Sequence, residues 1–147
     1  MRAVVTDLDR TLLHTDKSIS DEIVRVLKAC REKGIPVVVA TARPERAITQ
    51  YREKIDFDAL VTLNGARTVI NSRELNYSIP KESILKMLYK LEDIDGAIIS
   101  LETDEGIFSN VDIPLWQPTV FEKLSEAPLP DVFYKIIVSS NTTDLHE

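Results

Sequence analysis

The stretch Ala3-Val4-Val5-Thr6-Asp7-Leu8-Asp9-Arg10-Thr11-Leu12-Leu13 decides how the rest of the chain is read. Val4-Val5-Thr6 is a β-branched run without polar alternation, which predicts a strand buried on both faces. It runs directly into two carboxylates one residue apart. In the turn after a strand both can face one ligand, and their mutual repulsion is costly unless a cation neutralises it. All-oxygen donors of this kind favour Mg²⁺. The same residues also suit plain turn formation and helix capping, so the surrounding sequence has to arbitrate.

Working outward, Ser20 has the character of a helix N-cap. Ile23, Val26, Leu27 and Cys30 recur at helical spacing, and Gly34 supplies a stop. Ile35 to Ala40 reads as a second buried strand with Pro36 near its start. Pro44 suits the first turn of a helix running to about Lys54. Ala59 to Leu63 reads as a third strand, closed by Asn64-Gly65. The order β-α-β-α-β predicts a parallel, Rossmann-like sheet with right-handed crossovers. Ligands of such sheets bind beyond the carboxyl ends of the strands. Those ends carry Asp7-Leu8-Asp9, Thr41-Ala42-Arg43 and Asn64-Gly65-Ala66, so the polar residues converge on one edge.

From residue 68 the pattern changes to α+β. Thr68 to Tyr77 reads as a hairpin, and Pro80 begins a helix with Ile84, Met87, Leu88 and Leu91 on one face. Ala97 to Leu101 and Ile107 to Val111 flank a polar turn. A short helix is expected over Thr119 to Leu124, and a strand over Phe133 to Ser139. The division falls after residue 78, giving segments 1–78 and 79–147.

The 147 residues are 44% hydrophobic, enough for a real core, and carry a formal charge of −6. Lys and Arg are scattered, which argues against a nucleic-acid partner. The single cysteine, Cys30, leaves no intramolecular disulfide and no cysteine-based zinc site. No apolar run is long enough to span a membrane, so the expected location is cytoplasmic.

With Mg²⁺ bridging carboxylate and phosphate, one aspartate can attack phosphorus while its neighbour protonates the leaving oxygen. A hydroxyl at the next strand end, Thr41, can hold the transferring oxygens. The Asp-x-Asp-x-Thr-Leu-Leu run at Asp7, the Thr-Ala-Arg at Thr41 and the Asn-Gly-Ala at Asn64 together resemble the haloacid-dehalogenase-like (HAD) phosphohydrolase superfamily. Within it they are similar to the Cof-type sugar-phosphatase branch, with 79–147 resembling part of the α/β cap inserted after the third strand.

That resemblance implies a Mg²⁺-dependent phosphatase acting on small phosphorylated metabolites such as sugar phosphates. Asp7 would be the nucleophile and a metal ligand. Asp9 would be the general acid/base and a metal ligand through its carbonyl. Thr11, Thr41, Arg43 and Asn64 would support or line the substrate site.

Three features depart from the family pattern. Arg10 stands where the branch usually has glycine, and an arginine there is expected to hold ordinary backbone angles. Ala42 is a milder change of the same type. The family also requires a lysine after the cap and a Gly-Asp motif, yet Ile, Ala, Ala and Ile follow Gly34, Gly65, Gly96 and Gly106. Asp93-Ile94-Asp95-Gly96 is placed at the wrong end of its strand to compensate, and Lys135 lies in a presumed cap strand. Asn141-Thr142-Thr143-Asp144 reads as a helix N-cap.

The expectation is therefore a chain that stops inside its cap, with doubtful activity by itself. Its first strand would leave an open edge that self-association or strand exchange would cover. A non-catalytic remnant serving as a binding module is the competing expectation. A phosphorylation-receiving regulatory domain fits poorly, because its acceptor aspartate, acidic pair and lysine do not map here.

Overall fold

The computed structural model describes residues 2–140 and divides into two compact units, Met1–Tyr77 and a second beginning at Ser78. In the first unit, β1 (Val4–Thr6), β2 (Val37–Ala40) and β3 (Ala59–Thr62) are parallel neighbours, pairing Val4 with Val37 and Val38 with Ala59. The hairpin β4 (Arg67–Ile70) and β5 (Arg73–Asn76) extends the sheet antiparallel, in the order β1-β2-β3-β4-β5. The crossover helix α1 (Asp21–Glu32) starts where Ser20 Oγ accepts the Ile23 N–H at 3.2 Å, satisfying one orphan donor of its first turn. It stops at Gly34, whose φ of +70° suits only glycine without strain.

One ion pair sets where the strands begin. The Arg31 guanidinium donates to both oxygens of Asp58 at 3.0 and 3.1 Å, and Asp58 Oδ2 also accepts the Val37 N–H at 2.8 Å. The last turn of α1 is thereby tied to the starts of β2 and β3, which aligns the opposite ends of those strands. Behind the sheet, Leu8, Leu12, Leu13, Leu27, Val37, Val39, Ile48, Tyr51, Ile55 and Leu60 form one buried cluster.

Two expectations fail here. β1 is not buried on both faces: Val5 is 65% exposed, and among the described residues β1 pairs only with β2. The helix expected from Pro44 to Lys54 is a 3-10 turn, Glu45–Ala47, followed by the single turn α2 (Thr49–Arg52). Ile48, at φ −119°, breaks the two apart because its side chain is drawn completely into the core. The next residue, Thr49, is also β-branched and adds little helix propensity.

In the second unit α3 (Lys81–Leu91) follows Pro80 and buries Ile84 and Leu88 completely. Their cluster includes Ile99 and Leu101 of β6 (Ala97–Thr103), Phe108 of β7 (Ile107–Ser109), and Phe133 of β9 (Phe133–Ser140). Both β7 and β9 run antiparallel to β6. The helix expected over Thr119 to Leu124 is absent. Thr119–Val120 instead form β8, parallel to β7, in the sheet order β8-β7-β6-β9, and a 3-10 turn follows at Leu124–Glu126.

A β-branched pair after Pro118 favours extended backbone, and Phe121 then stacks on Phe108 with centroids 6.3 Å apart. β7 closes at Ser109 rather than Val111, because the Asn110 side chain caps the hairpin, accepting from Ile99 N and donating to Ala97 O. Asp93-Ile94-Asp95-Gly96 lies in the turn before β6. The N-cap signal at 141–144 lies outside the described residues.

Candidate active site

The turn after β1 is built around one carbonyl. Leu8 O accepts the N–H groups of Thr11, Leu12 and Leu13 at 3.3, 3.0 and 2.8 Å, while the Leu8 side chain is fully buried. Such a tight reversal requires a left-handed residue, and Arg10 supplies it at φ +58°. The expectation of ordinary angles at Arg10 is thus overturned, because chain closure outweighs a local preference of about 1–2 kcal/mol. Glycine at this position releases that strain but costs about 0.5–1 kcal/mol in backbone entropy. Arg10→Gly should therefore raise stability by a net of about 0.5–1 kcal/mol, measured by thermal unfolding. A lower midpoint would show that the arginine side chain contributes contacts of its own.

At the end of β2, Thr41 is buried. Its N–H donates to Val61 O at 2.8 Å, and its hydroxyl oxygen accepts the Arg43 N–H at 3.2 Å. The loop after β3 is tied to the same segment, since Leu63 N donates to Arg43 O and Asn64 N to Thr41 O. Leu63 and Asn64 both adopt left-handed backbone, at φ +53° and +59°. Asx chemistry makes this easy for the asparagine, and the buried side chain holds the leucine there.

The strand ends enclose a concavity of about 490 Å³. Asp7, Asp9, Thr41 and Asn64 line it, with Ala40, Ala42, Val61 and Gly65 as walls. Thr11 stays on the exposed turn and is not among the lining residues. A comparable hollow of about 520 Å³ sits around Arg31, Asp56 and Asp58 at the opposite ends of the strands, where the charges already pair with one another.

Arg43 does not stand in the pocket wall; it grips Asp9. Its Nε donates to Oδ2 and its Nη2 to Oδ1, both at 2.7 Å, a bidentate fork. Lys17 Nζ adds a third bond to Oδ1 at 2.8 Å. The Arg43 bonds first, and the Lys17 bond second, hold the Asp9 carboxyl well below the usual carboxylate range, and the pair raises Arg43 in turn.

Nothing in the sequence singled out Lys17, which lies eight residues beyond Asp9 on a polar loop, or Tyr51, which falls within the helix expected from Pro44 to about Lys54. The Tyr51 hydroxyl donates to Lys17 O at 3.1 Å, and the Arg43 guanidinium lies 5.9 Å from the centroid of its ring.

The energetic worth of the fork is testable. Arg43→Met keeps much of the volume and removes the charge. More than a third of the Asp9 side chain remains in solvent, so the expected loss near neutral pH is about 1 kcal/mol rather than that of a buried pair. The carboxyl titrates lower in the folded state than its ordinary 3.8, so this contribution is present above pH about 4 and fades as the pH falls below it. Urea unfolding of both proteins at neutral pH and at about pH 3 checks whether the difference between them shrinks on the acid side.

For a divalent cation the two aspartates are not equivalent. Among the described residues no donor bonds the Asp7 carboxylate, which leaves its oxygens open to the pocket, whereas the Asp9 carboxylate is already engaged by two cations. Asp9 as a side-chain metal ligand therefore does not fit this arrangement; its main-chain carbonyl is not so committed. No cluster of three His, Cys, Asp or Glu that could hold a metal ion occurs among the described residues. The donor set suits Mg²⁺, which takes one or two carboxylates and fills its remaining positions with water and phosphate oxygens.

A parallel sheet with Asp-x-Asp, Thr and Asn at successive strand ends defines a class, and comparison with known proteins agrees with it. The model of the haloacid dehalogenase-like hydrolase family matches residues 4–145. A provisionally assigned phosphatase of Haemophilus influenzae is 33% identical over 117 residues, covering 77% of this chain and 43% of the relative.

Among solved structures, a haloacid dehalogenase-like hydrolase from Bacillus subtilis superimposes with a TM-score of 0.78 at 22% identity, over 96% of this chain and 62% of that one. The HAD subclass IIB sugar phosphatase BT4131 does so with a TM-score of 0.69 at 20% identity, over 90% and 56%. The chain belongs to the haloacid dehalogenase-like hydrolase family. It spans less than two thirds of the length of these relatives. No helix among the described residues is long and apolar enough to cross a membrane.

Proposed function

We propose that residues 1–78 form the catalytic half of a Mg²⁺-dependent phosphoric monoester hydrolase for small phosphorylated metabolites. Sugar phosphates of the Cof-type branch are the preferred class. Residues 79–147 are proposed to form part of its cap. The carrying observation is the open Asp7 carboxylate in a pocket shared with Thr41 and Asn64.

In this reading an Asp7 oxygen attacks phosphorus and the ester P–O bond breaks with the electron pair leaving on the alcohol oxygen. The Thr41 hydroxyl and Asn64 amide hold the phosphoryl oxygens. Mg²⁺ on Asp7 and the Asp9 carbonyl would offset the charge of phosphate against carboxylate. Water then attacks phosphorus, giving up a proton to the Asp9 carboxylate as the bond to the Asp7 oxygen breaks and phosphate leaves. The phosphatase relatives support this reading, and a cytoplasmic location and self-association along the open β1 edge belong to it.

One observation favours the alternative of a non-catalytic binding module. Asp9 is locked in the ionised form by two cations, and a carboxylate so held has no proton to give to an alkoxide. Turnover of p-nitrophenyl phosphate with Mg²⁺ separates the readings. Hydrolysis that disappears with EDTA and in Asp7→Asn supports the enzyme; none at high protein concentration supports the module.

A further inference from the structure

We propose that Tyr51 is a positioning residue for Asp9, acting through both cations that hold it. The inference deepens the proposed catalytic role of Asp9. Its geometric content stands even if the chain proves to be a binding module.

Asp9 itself is a half-exposed side chain on a turn, and nothing in its own element fixes its carboxylate. What fixes it is Arg43 and Lys17, which come from different loops and have long, rotamer-rich side chains of their own. Each of those loops rests on Tyr51, which is 3% exposed in the core. The ring faces the Arg43 guanidinium at 5.9 Å, within range of a cation–π contact, and Arg43 Nη1 reaches the Ala47 carbonyl at 3.5 Å on the segment leading to Tyr51.

The hydroxyl of the same side chain donates to the carbonyl of Lys17. Lys17 is at φ +66°, a strained position for a side-chain-bearing residue, and its N–H closes a turn onto His14 O at 3.0 Å. Strain of this kind persists only where surrounding contacts over-determine it, and the Tyr51 bond is such a contact. One buried aromatic thus couples the loop that follows Asp9 to the loop that follows Thr41.

The two ends of the side chain can be tested separately, by nuclear magnetic resonance on the intact chain and without any need for turnover. The Arg43 Nε–H, bonded to Asp9 Oδ2, should exchange slowly and shift in Asp9→Asn, which assigns it. In Tyr51→Phe the ring stays and the hydroxyl goes. The Lys17 carbonyl loses its donor, the turn opens more readily, and exchange of the Lys17 N–H, which bonds His14 O, is then expected to accelerate about tenfold while the Arg43 signal persists. In Tyr51→Leu the Arg43 Nε–H should accelerate as well and move toward its position in Asp9→Asn.

Ile55→Val, a core change on the same segment, serves as the control, since general loosening would affect it equally. If Tyr51→Leu folds and leaves Arg43 unchanged, or Tyr51→Phe leaves Lys17 unchanged, the proposal fails. It fails too if Ile55→Val reproduces the Tyr51 pattern at equal stability. If Tyr51→Leu does not fold, Tyr51→Phe alone still decides the hydroxyl half.

Discussion

Leu8→Ala is expected to remove about 3 kcal/mol of stability, within the 2–5 kcal/mol span of buried leucine truncations. For a small domain that is a large share of the total. Leu8 stands between Asp7 and Asp9, and its side chain is fully buried against a cluster that includes Leu12, Leu13 and Val39. Its carbonyl also receives the three N–H groups that close the turn.

The two carboxylates can sit at the mouth of the pocket because the residue between them is anchored in the core. Truncating it leaves a cavity that a turn held by a single carbonyl closes poorly. Urea unfolding followed by circular dichroism measures the loss. A change below about 1 kcal/mol would mean that the turn holds its shape through hydrogen bonds alone.

The same residue shows why the site was legible and where legibility ended. Apolar runs ending in Asp, Thr and Asn sit at the carboxyl ends of parallel strands, and strand direction alone carries those ends to one side of the sheet. The convergence of Asp7, Thr41 and Asn64 thus follows from topology.

What topology does not supply is the partner of each side chain. An arginine at this strand end could equally face the pocket, and its fork closes instead on Asp9. Lys17 and Tyr51 carry no signal, because a lysine in a polar loop and a tyrosine within an expected helix look like countless others. The exposure of β1 is hidden from the sequence for a related reason. A Val-Val-Thr run reports strand propensity, whereas burial depends on what packs over each face of the sheet, and the face carrying Val5 is left largely exposed. At Thr119 and Glu45 the short segments were decided by tertiary pairing and by the burial of Ile48, both of which override weak local preference.

The sharpest division of labour is expected between Asp7→Asn and Asp9→Asn. An amide at position 7 is a far weaker nucleophile and a weaker cation ligand, so hydrolysis of p-nitrophenyl phosphate should fall by about a thousandfold or more, equivalent to about 4 kcal/mol. No phosphoryl group should become attached to the protein. Asp9→Asn should behave differently. p-Nitrophenolate leaves without needing a proton, so the first step survives, whereas the second step loses the carboxylate that would take a proton from the attacking water.

The Asp9 variant should therefore accumulate protein-bound phosphate, visible as a mass increase on rapid acid quenching, while steady turnover falls about a hundredfold. Arg43 and Lys17 hold Asp9 ionised, so it enters the cycle with no proton for the leaving oxygen, and the same bonds make it a weaker base toward the water of the second step. An alkyl phosphate, whose leaving group does require protonation, should then be a much poorer substrate than the aryl ester. Equal rates for the two esters would mean that Asp9 leaves its cations during turnover. Trapped phosphate in Asp7→Asn would remove Asp7 from the role of nucleophile.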